Sequence, residues 1–379
     1  MSTGCAVVGI GESRIGKVPG ATPEGLRLEA AVAAVRDIGG DKQRIDGVIA
    51  RQPRRNPQPN YSATMAEKLG LEPAYINDIS LSGSGPVAML MNAVAAINAG
   101  LCTTVLCIAG DAGWASRGQP ARGGLTEPGA ELRSPYGADG APVMYAMSAR
   151  RHMHEYGTTS RQFGAVAVAC RKHASLNPSA MLREPITIED HQSSRWIVEP
   201  LRLLDCSQPS DGAGAFIVAA GERAKDFPSP PVSVLGMGSE CRFGEATHAQ
   251  DLTASAAKNA SRRAFEMAGL TPADVDLAEL YDCFTPVVIT ALEAYGFCKQ
   301  GEGGAFVEDG RIELGGELPV NTHGGLLSQA HVGGMLHITE AVVQLRHEAG
   351  ARQVQNAQVA AVSGQCGETG IHATLLFGR

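Results

Sequence analysis

The sequence predicts an α/β protein built from two similar halves, the first carrying a long insertion. Three observations predict it. Short apolar runs bounded by glycine read as buried strands, and they alternate with longer runs at helical spacing. Residues 75–110 read as strand, small-residue turn, long apolar helix and strand, which is a βαβ unit. The logic returns after residue 270, where a strand again enters a turn with reactive groups and a helix follows.

In order, residues 5–10 form a strand. Residues 23–38 form a helix with Thr22 as N-cap and Gly39–Gly40 as the stop. Residues 45–50 are a second strand. Residues 75–81 are extended, 82–85 turn, 86–99 are an apolar helix ended by Gly100, and 103–110 are a buried strand. Residues 111–142 are rich in Gly, Pro, Ser and Arg and read as loop. Helices are expected at 144–156 and 159–175, irregular chain at 186–198, and a strand at 211–220. A strand at 230–236, a helix at 254–267, a helix start at 271–274, a strand at 277–281 and a helix at 284–295 open the second half. A helix from Met335 and strands at 358–363 and 373–377 close it. The expected division is 1–225 and 226–379, with an inserted domain at about 111–200.

Of the 379 residues, 44% are apolar and 19% charged, which excludes disorder for the bulk of the chain. The apolar stretch at 86–99 is interrupted by Asn92 and Asn98, so no membrane span is expected. Residues 1–9 lack a secretory pattern. The net charge of −7, without a long basic block, argues against a nucleic-acid partner. Nine cysteines without a CxxC pair suggest reduced thiols in a cytoplasm.

Four turns carry chemistry. Ser82-Gly83-Ser84-Gly85 stands where a helix begins, a place that favours an anion or developing oxyanion. Tyr281-Asp282-Cys283-Phe284-Thr285 sits at a strand's carboxyl end, where open α/β sheets put ligands. Asn321-Thr322-His323-Gly324-Gly325 runs on to Ser328-Gln329-Ala330-His331-Val332-Gly333-Gly334, a glycine-rich loop presenting two histidines. No Cys or carboxylate joins His323 and His331 at ligand spacing, so no metal is expected. The last turn, Ser363 to Gly370, sets Cys366 beside Gly367; this thiol reads equally as reactive or as inert and buried.

Together these turns resemble the thiolase superfamily, most closely its sterol-carrier-protein-x and lipid-transfer-protein branch. The likeness extends to MHEYGTT at 153–159, residues 165–173, SLNP at 175–178, EPLRLLDC at 199–206 and LPVNTHGG at 318–325. It implies a five-layer α-β-α-β-α architecture of two fused halves with an inserted loop domain. It also implies an acyl-CoA substrate, with no cofactor bound in the chain, and a homodimer.

Ser82 stands where thiolases carry the nucleophilic Cys, and Tyr281-Asp282-Cys283-Phe284 replaces their Asn-Glu-Ala-Phe or His-Asp-Cys-Phe turn. Their Gly-His-Pro loop becomes Ala330-His331-Val332. A count without gaps puts Gln365 at their second Cys, and a shift by one restores Cys366. A serine hydroxyl without a base is a weak acyl acceptor. A retro-aldol step on a β-hydroxyacyl-CoA needs only a base and oxyanion donors. Tyr281 and His331 are the expected groups for proton transfer and enolate stabilisation, with Ser82, Asp282 and Cys366 as further catalytic candidates. Gly83, Ser84, His323, Gly324 and Gly367 are the expected oxyanion and substrate contacts. The turn resembles that of Cys-lacking steroid side-chain-cleaving aldolases, which work with a zinc-ribbon/OB-fold partner. Those tend to have a second Tyr where this chain keeps His331. The alternatives are an acetyl-CoA acetyltransferase or 3-ketoacyl-CoA thiolase, and a non-catalytic acyl-CoA-binding or lipid-transfer subunit.

Overall fold

The computed structural model describes residues 3–53, 57–118, 133–138, 140–244, 248–253, 255–367 and 370–379. Its core follows from the alternation of strand side chains, which sends neighbouring residues to opposite faces. The first half contributes β1 (Cys5–Glu12), α1 (Pro23–Asp37), β2 (Gly47–Arg51), α2 (Tyr61–Leu69), β3 (Tyr75–Ile79), α3 (Gly85–Asn98) and β4 (Thr104–Ala112). Helices α4 (Ala141–Tyr156) and α5 (Ser160–Ser175) and the small hairpin β5 (Trp196–Val198) and β6 (Leu201–Arg202) precede β7 (Asp211–Ala220). The second half contributes β8 (Val232–Cys241), α6 (Ala257–Ala268), β9 (Leu277–Glu279), α7 (Thr285–Tyr295), the short α8 (Gly325–Ser328), α9 (Met335–Leu345), β10 (Val359–Cys366) and β11 (Ile371–Gly378).

On β4, Leu106 and Ile108 join a core with α1 and α2, whereas Val105, Cys107 and Ala109 join a core with α3 and α9. On β7, Ala215 and Ile217 face the first core and Phe216 and Val218 the second. On β10, Ala360 and Val362 face α3 and α9, and Ala361 faces a third core with α4, α5 and α7. The layers are therefore α1/α2, sheet, α3/α9, sheet, and the helices α6 and α7 with α4 and α5. The fold is α/β, in the five-layer order that the resemblance implies. A single ladder order, β3-β2-β4-β7-β1-β8-β11-β10-β9, runs through both sheet layers. It turns the corner at a short β1–β8 pairing, Ala6 with Ser233 and Val7 with Val232.

Helices α3 and α9 are both buried on nearly every side; α3 is accordingly almost wholly apolar, whereas α9 also buries His337, Thr339, Glu340 and Gln344. Each follows a loop that begins at the outer edge of its sheet: α3 follows β3, and α9 follows Val320, which bridges Ala278 of β9. By position the Ser82 turn thus corresponds to the 321–334 loop, not to the Tyr281 turn with which sequence logic pairs it. The N-termini of these two central helices carry the two most distinctive motifs.

Several local expectations needed revision. Helix α2 was not anticipated; its first residues Tyr61 and Ser62 donate backbone N–H groups to the Asp78 carboxylate of β3, a capping partner distant in sequence. Residues 186–198 hold a helical turn (Ile188–Ser193), capped by Thr187, and β5. The stretch 111–142, expected as loop, lies partly outside the described residues; its described part ends β4 and begins α4. Helix α4 is tied to α7 where His152 Nε2 meets Glu293 at 3.1 Å.

Candidate active site

Ser82 begins the turn into α3 with a left-handed backbone, φ 41°, and is exposed. Gly83 and Ser84 behind it are buried. A Cβ at Gly83 would lie 2.2 Å from the Gln365 carbonyl oxygen and 2.4 Å from Tyr281 Oη. Only glycine lets the Tyr281 phenol approach the start of α3 so closely. On its other side a Cβ at Gly334 would lie 3.2 Å from the Tyr281 ring. The ring is 6% exposed, and the Tyr281 N–H donates to Ser363 Oγ at 2.8 Å.

Tyr281 Oη lies 3.5 Å from His331 Nε2, at the long limit of a hydrogen bond, with the rings perpendicular. The other ring nitrogen of His331, Nδ1, lies 2.7 Å from Ser207 Oγ. His331 N–H donates to Ser210 Oγ at 3.2 Å. Ser82, Gly83, Tyr281 and His331 are thus brought to one place, where the N-terminal end of α3 supplies a field that favours negative charge.

Asp282 and His323 are placed differently. Asp282, in the turn three residues past β9, points inward and is fully buried. It accepts from Leu326 N at 2.8 Å, Leu327 N at 3.2 Å and His337 Nε2 at 3.2 Å. Gly325, at φ 65°, admits the carboxylate: a Cβ there would be 2.0 Å from Asp282 Oδ2. Burial alone would raise the Asp282 pKa. The hydrogen bond and charge of His337 and the Leu326 amide reverse this and hold it below the usual range. His323 is 1% exposed, with Nδ1 2.8 Å from Glu279 Oε2. Burial disfavours its charge, but Glu279 outweighs that and raises its pKa. The rings of Tyr281, His337 and His323 form a row at centroid spacings of 6.3 and 4.8 Å, so His323 lies a layer behind the phenol. Gly324, at φ 105°, packs on Ala174 of α5.

These contacts give Asp282 a stabilising task with a pH signature. Its folded pKa is depressed, so its contribution is present above the ordinary carboxylate range and is lost as pH falls through the folded value. Asp282→Asn is expected to cost about 3 kcal/mol near neutrality, as for one partner removed from a buried pair. Urea titrations of wild type and variant from about pH 6 to about pH 2 should show that gap closing on acidification.

At the last turn, Gln365 is 2% exposed and its Nε2 lies 3.5 Å from Tyr145 Oη of α4. Cys366 follows on the opposite face of β10, half-buried and paired with Ile371. Gly367 turns the chain at φ 59°. Burial pushes the Cys283 thiol up, and it pushes Cys206 up to about 12. All nine cysteines are free thiols. Among the described residues no group of three His, Cys, Asp or Glu is placed to hold a metal, and no helix is long and apolar enough to cross a membrane.

Three neighbours of the site escaped the sequence reading. Ser207 lies in a polar, proline-containing loop with no local signal. Tyr145 lies inside an ordinary helix. Arg51 ends β2, its side chain running past Gly85 so that a Cβ at Gly333 would meet Nη1 at 2.1 Å. The density of arginine at 51–55 was visible, but not that one of them is buried between the two glycine-rich loops.

The thiolase C-terminal domain-like family matches residues 238–379. A steroid side-chain-cleaving aldolase of Thermomonospora curvata is 36% identical over 90% of each chain. This chain belongs to the thiolase superfamily, in its lipid-transfer-protein branch. Within the superfamily, a 17-hydroxy-3-oxo-4-pregnene-20-carboxyl-CoA lyase of Mycobacterium tuberculosis is 39% identical, covering 91% of this chain and 92% of the lyase. An acetyl-CoA acetyltransferase of Methanothermobacter thermautotrophicus is 33% identical over 99% of each. The solved Ltp2-ChsH2(DUF35) aldolase superposes with a TM-score of 0.91 at 35% identity, over 100% of this chain and 98% of that one. The thiolase relatives thus include both carbon–carbon lyases and acetyltransferases.

Proposed function

We propose that this chain is an acyl-CoA carbon–carbon lyase that cleaves a β-hydroxyacyl-CoA, of the steroid side-chain type, by a retro-aldol step. The observation that carries the reading is the Tyr281–His331 pair set against Gly83 at the start of α3, with serine rather than a thiol at residue 82. The β-hydroxyl proton passes to this pair and ends on His331 Nε2. The Cα–Cβ bonding electrons move into the thioester carbonyl, releasing a ketone or aldehyde. The enolate oxygen sits at the N-terminal end of α3, where the helix field and the backbone of the Ser82–Ser84 turn favour it. The enolate carbon then takes the proton back, giving a shorter acyl-CoA. No free CoA is consumed and no acyl-enzyme forms.

The acetyltransferase relative supports a second reading, Claisen chemistry with Cys366 or Ser82 as acyl carrier. Mass spectrometry of products separates the two. The lyase releases one shorter acyl-CoA plus a carbonyl compound without added CoA. The acetyltransferase forms two acyl-CoAs only when CoA is added, and its intact mass shows a covalent acyl group. Acyl-CoA binding without turnover would favour a lipid-transfer or scaffold role. Full activity in a Tyr281→Phe, His331→Ala double variant would sink the lyase reading.

The assay should include a zinc-ribbon/OB-fold partner, which the aldolase resemblance implies. The proposed assembly is a homodimer in the cytoplasm. The β3 edge, where Ile76 is 47% exposed, is a surface a second copy would cover. The proposal assigns the halves as 1–225 and 226–379.

A further inference from the structure

We infer that Ser207 is a positioning residue that fixes the proton of neutral His331 on Nδ1, so that Nε2 faces Tyr281 as a base. The inference deepens the lyase reading above and uses its site.

A single hydroxyl hydrogen fixes the tautomer. Ser207 Oγ lies 2.9 Å from the Cys283 carbonyl oxygen and 2.7 Å from His331 Nδ1. A carbonyl oxygen only accepts, so a contact of 2.9 Å requires the hydroxyl hydrogen between the two oxygens. Turned toward Nδ1 instead, that hydrogen would leave two oxygen lone pairs facing each other at this distance. The hydroxyl therefore donates to Cys283 and presents a lone pair to Nδ1, which must carry the hydrogen of the shorter bond. The neutral ring then has its lone pair on Nε2, the atom 3.5 Å from Tyr281 Oη.

The geometry around Ser207 holds this arrangement in place. Its own N–H donates to the same Cys283 carbonyl at 3.0 Å, so the residue grips that oxygen with two donors. Cys206 bridges Phe284, and Pro209 bridges His331. Ser210 Oγ donates to the Gln208 carbonyl at 2.9 Å and accepts the His331 N–H. Residues 206–210 thus form a splint with one edge on the Tyr281–Phe284 turn and the other on the His331 loop. Ser207 lies between the two and acts through His331.

The test is nitrogen NMR of the full-length protein with 15N-histidine, near pH 7.5. The His331 signals are assigned by their loss in His331→Gln; the chain has ten histidines. In wild type the Nδ1 shift is expected in the protonated range and Nε2 in the bare range. Ser207→Ala is expected to move both shifts toward the opposite tautomer. It should lower kcat about 10–100-fold on the β-hydroxyacyl-CoA with KM changed less than about threefold, short of the about 10²–10⁴ that loss of the base itself costs, because the imidazole is still present. Ser207→Thr, which keeps the hydroxyl, is expected to restore kcat to within about fivefold and the wild-type shifts. Protonated Nε2 in wild type overturns the inference, and so does Ser207→Ala with unchanged shifts. The wild-type spectrum decides even if Ser207→Ala does not fold. If the spectrum is as expected but no β-hydroxyacyl-CoA is cleaved, the lyase reading fails and the tautomer assignment stands.

Discussion

Tyr281→Phe is expected to lower kcat for retro-aldol cleavage by about 10²–10⁴, the usual contribution of a positioned acid–base group. Its KM and melting temperature should change little. The variant removes one oxygen from a ring otherwise held by Gly83, Gly334 and the flanking His337, so packing is preserved. Phenol loss therefore isolates proton transfer from positioning. Steady-state kinetics with the partner protein present, alongside thermal unfolding, checks both halves of the expectation. A kcat within threefold of wild type would move the proton-transfer task away from the phenol. A matching loss of stability would mean that the oxygen holds the fold instead.

Gly83→Ala is expected to be as damaging for a different reason. The added methyl would meet the Gln365 carbonyl at 2.2 Å and Tyr281 Oη at 2.4 Å. The first is backbone of β10 and has little room to retreat, so the start of α3 or the Tyr281 ring must shift. A displacement of about 1 Å in a reacting group costs roughly 10² in rate. Overpacking of a tight site costs about 1–3 kcal/mol. The expected result is a fall in kcat of about 10² or more with a folded but less stable protein. Steady-state kinetics and denaturant unfolding on the same preparation would read both. Unchanged stability with unchanged kcat would mean that this approach is looser than the structure places it.

Local chemistry made part of the candidate site legible. Ser82, Gly83, Tyr281 and His331 stand out because small residues, a phenol and an imidazole at element junctions are conspicuous in sequence. Their meeting follows from a fold whose central helices both begin there. The two acidic and basic candidates that look equally conspicuous, Asp282 and His323, are drawn instead into buried contacts with His337 and Glu279. Adjacent residues of one motif face different layers, and sequence does not say which layer holds the reaction.

The sequence by itself determined the alternation of strands and helices, the apolar central helices and the glycine-rich turns, because propensity, periodicity and capping act within a few residues of chain. It also carried the family, whose motifs are local strings. The tertiary structure alone decided that the His331 loop, not the Tyr281 turn, is the counterpart of the Ser82 turn. It alone decided that Asp282 caps α8 and that Ser207, 124 positions away in the chain, grips His331. Those outcomes depend on which strand faces are covered and on hydrogen bonds between segments brought together only by folding, and no local pattern records such pairings.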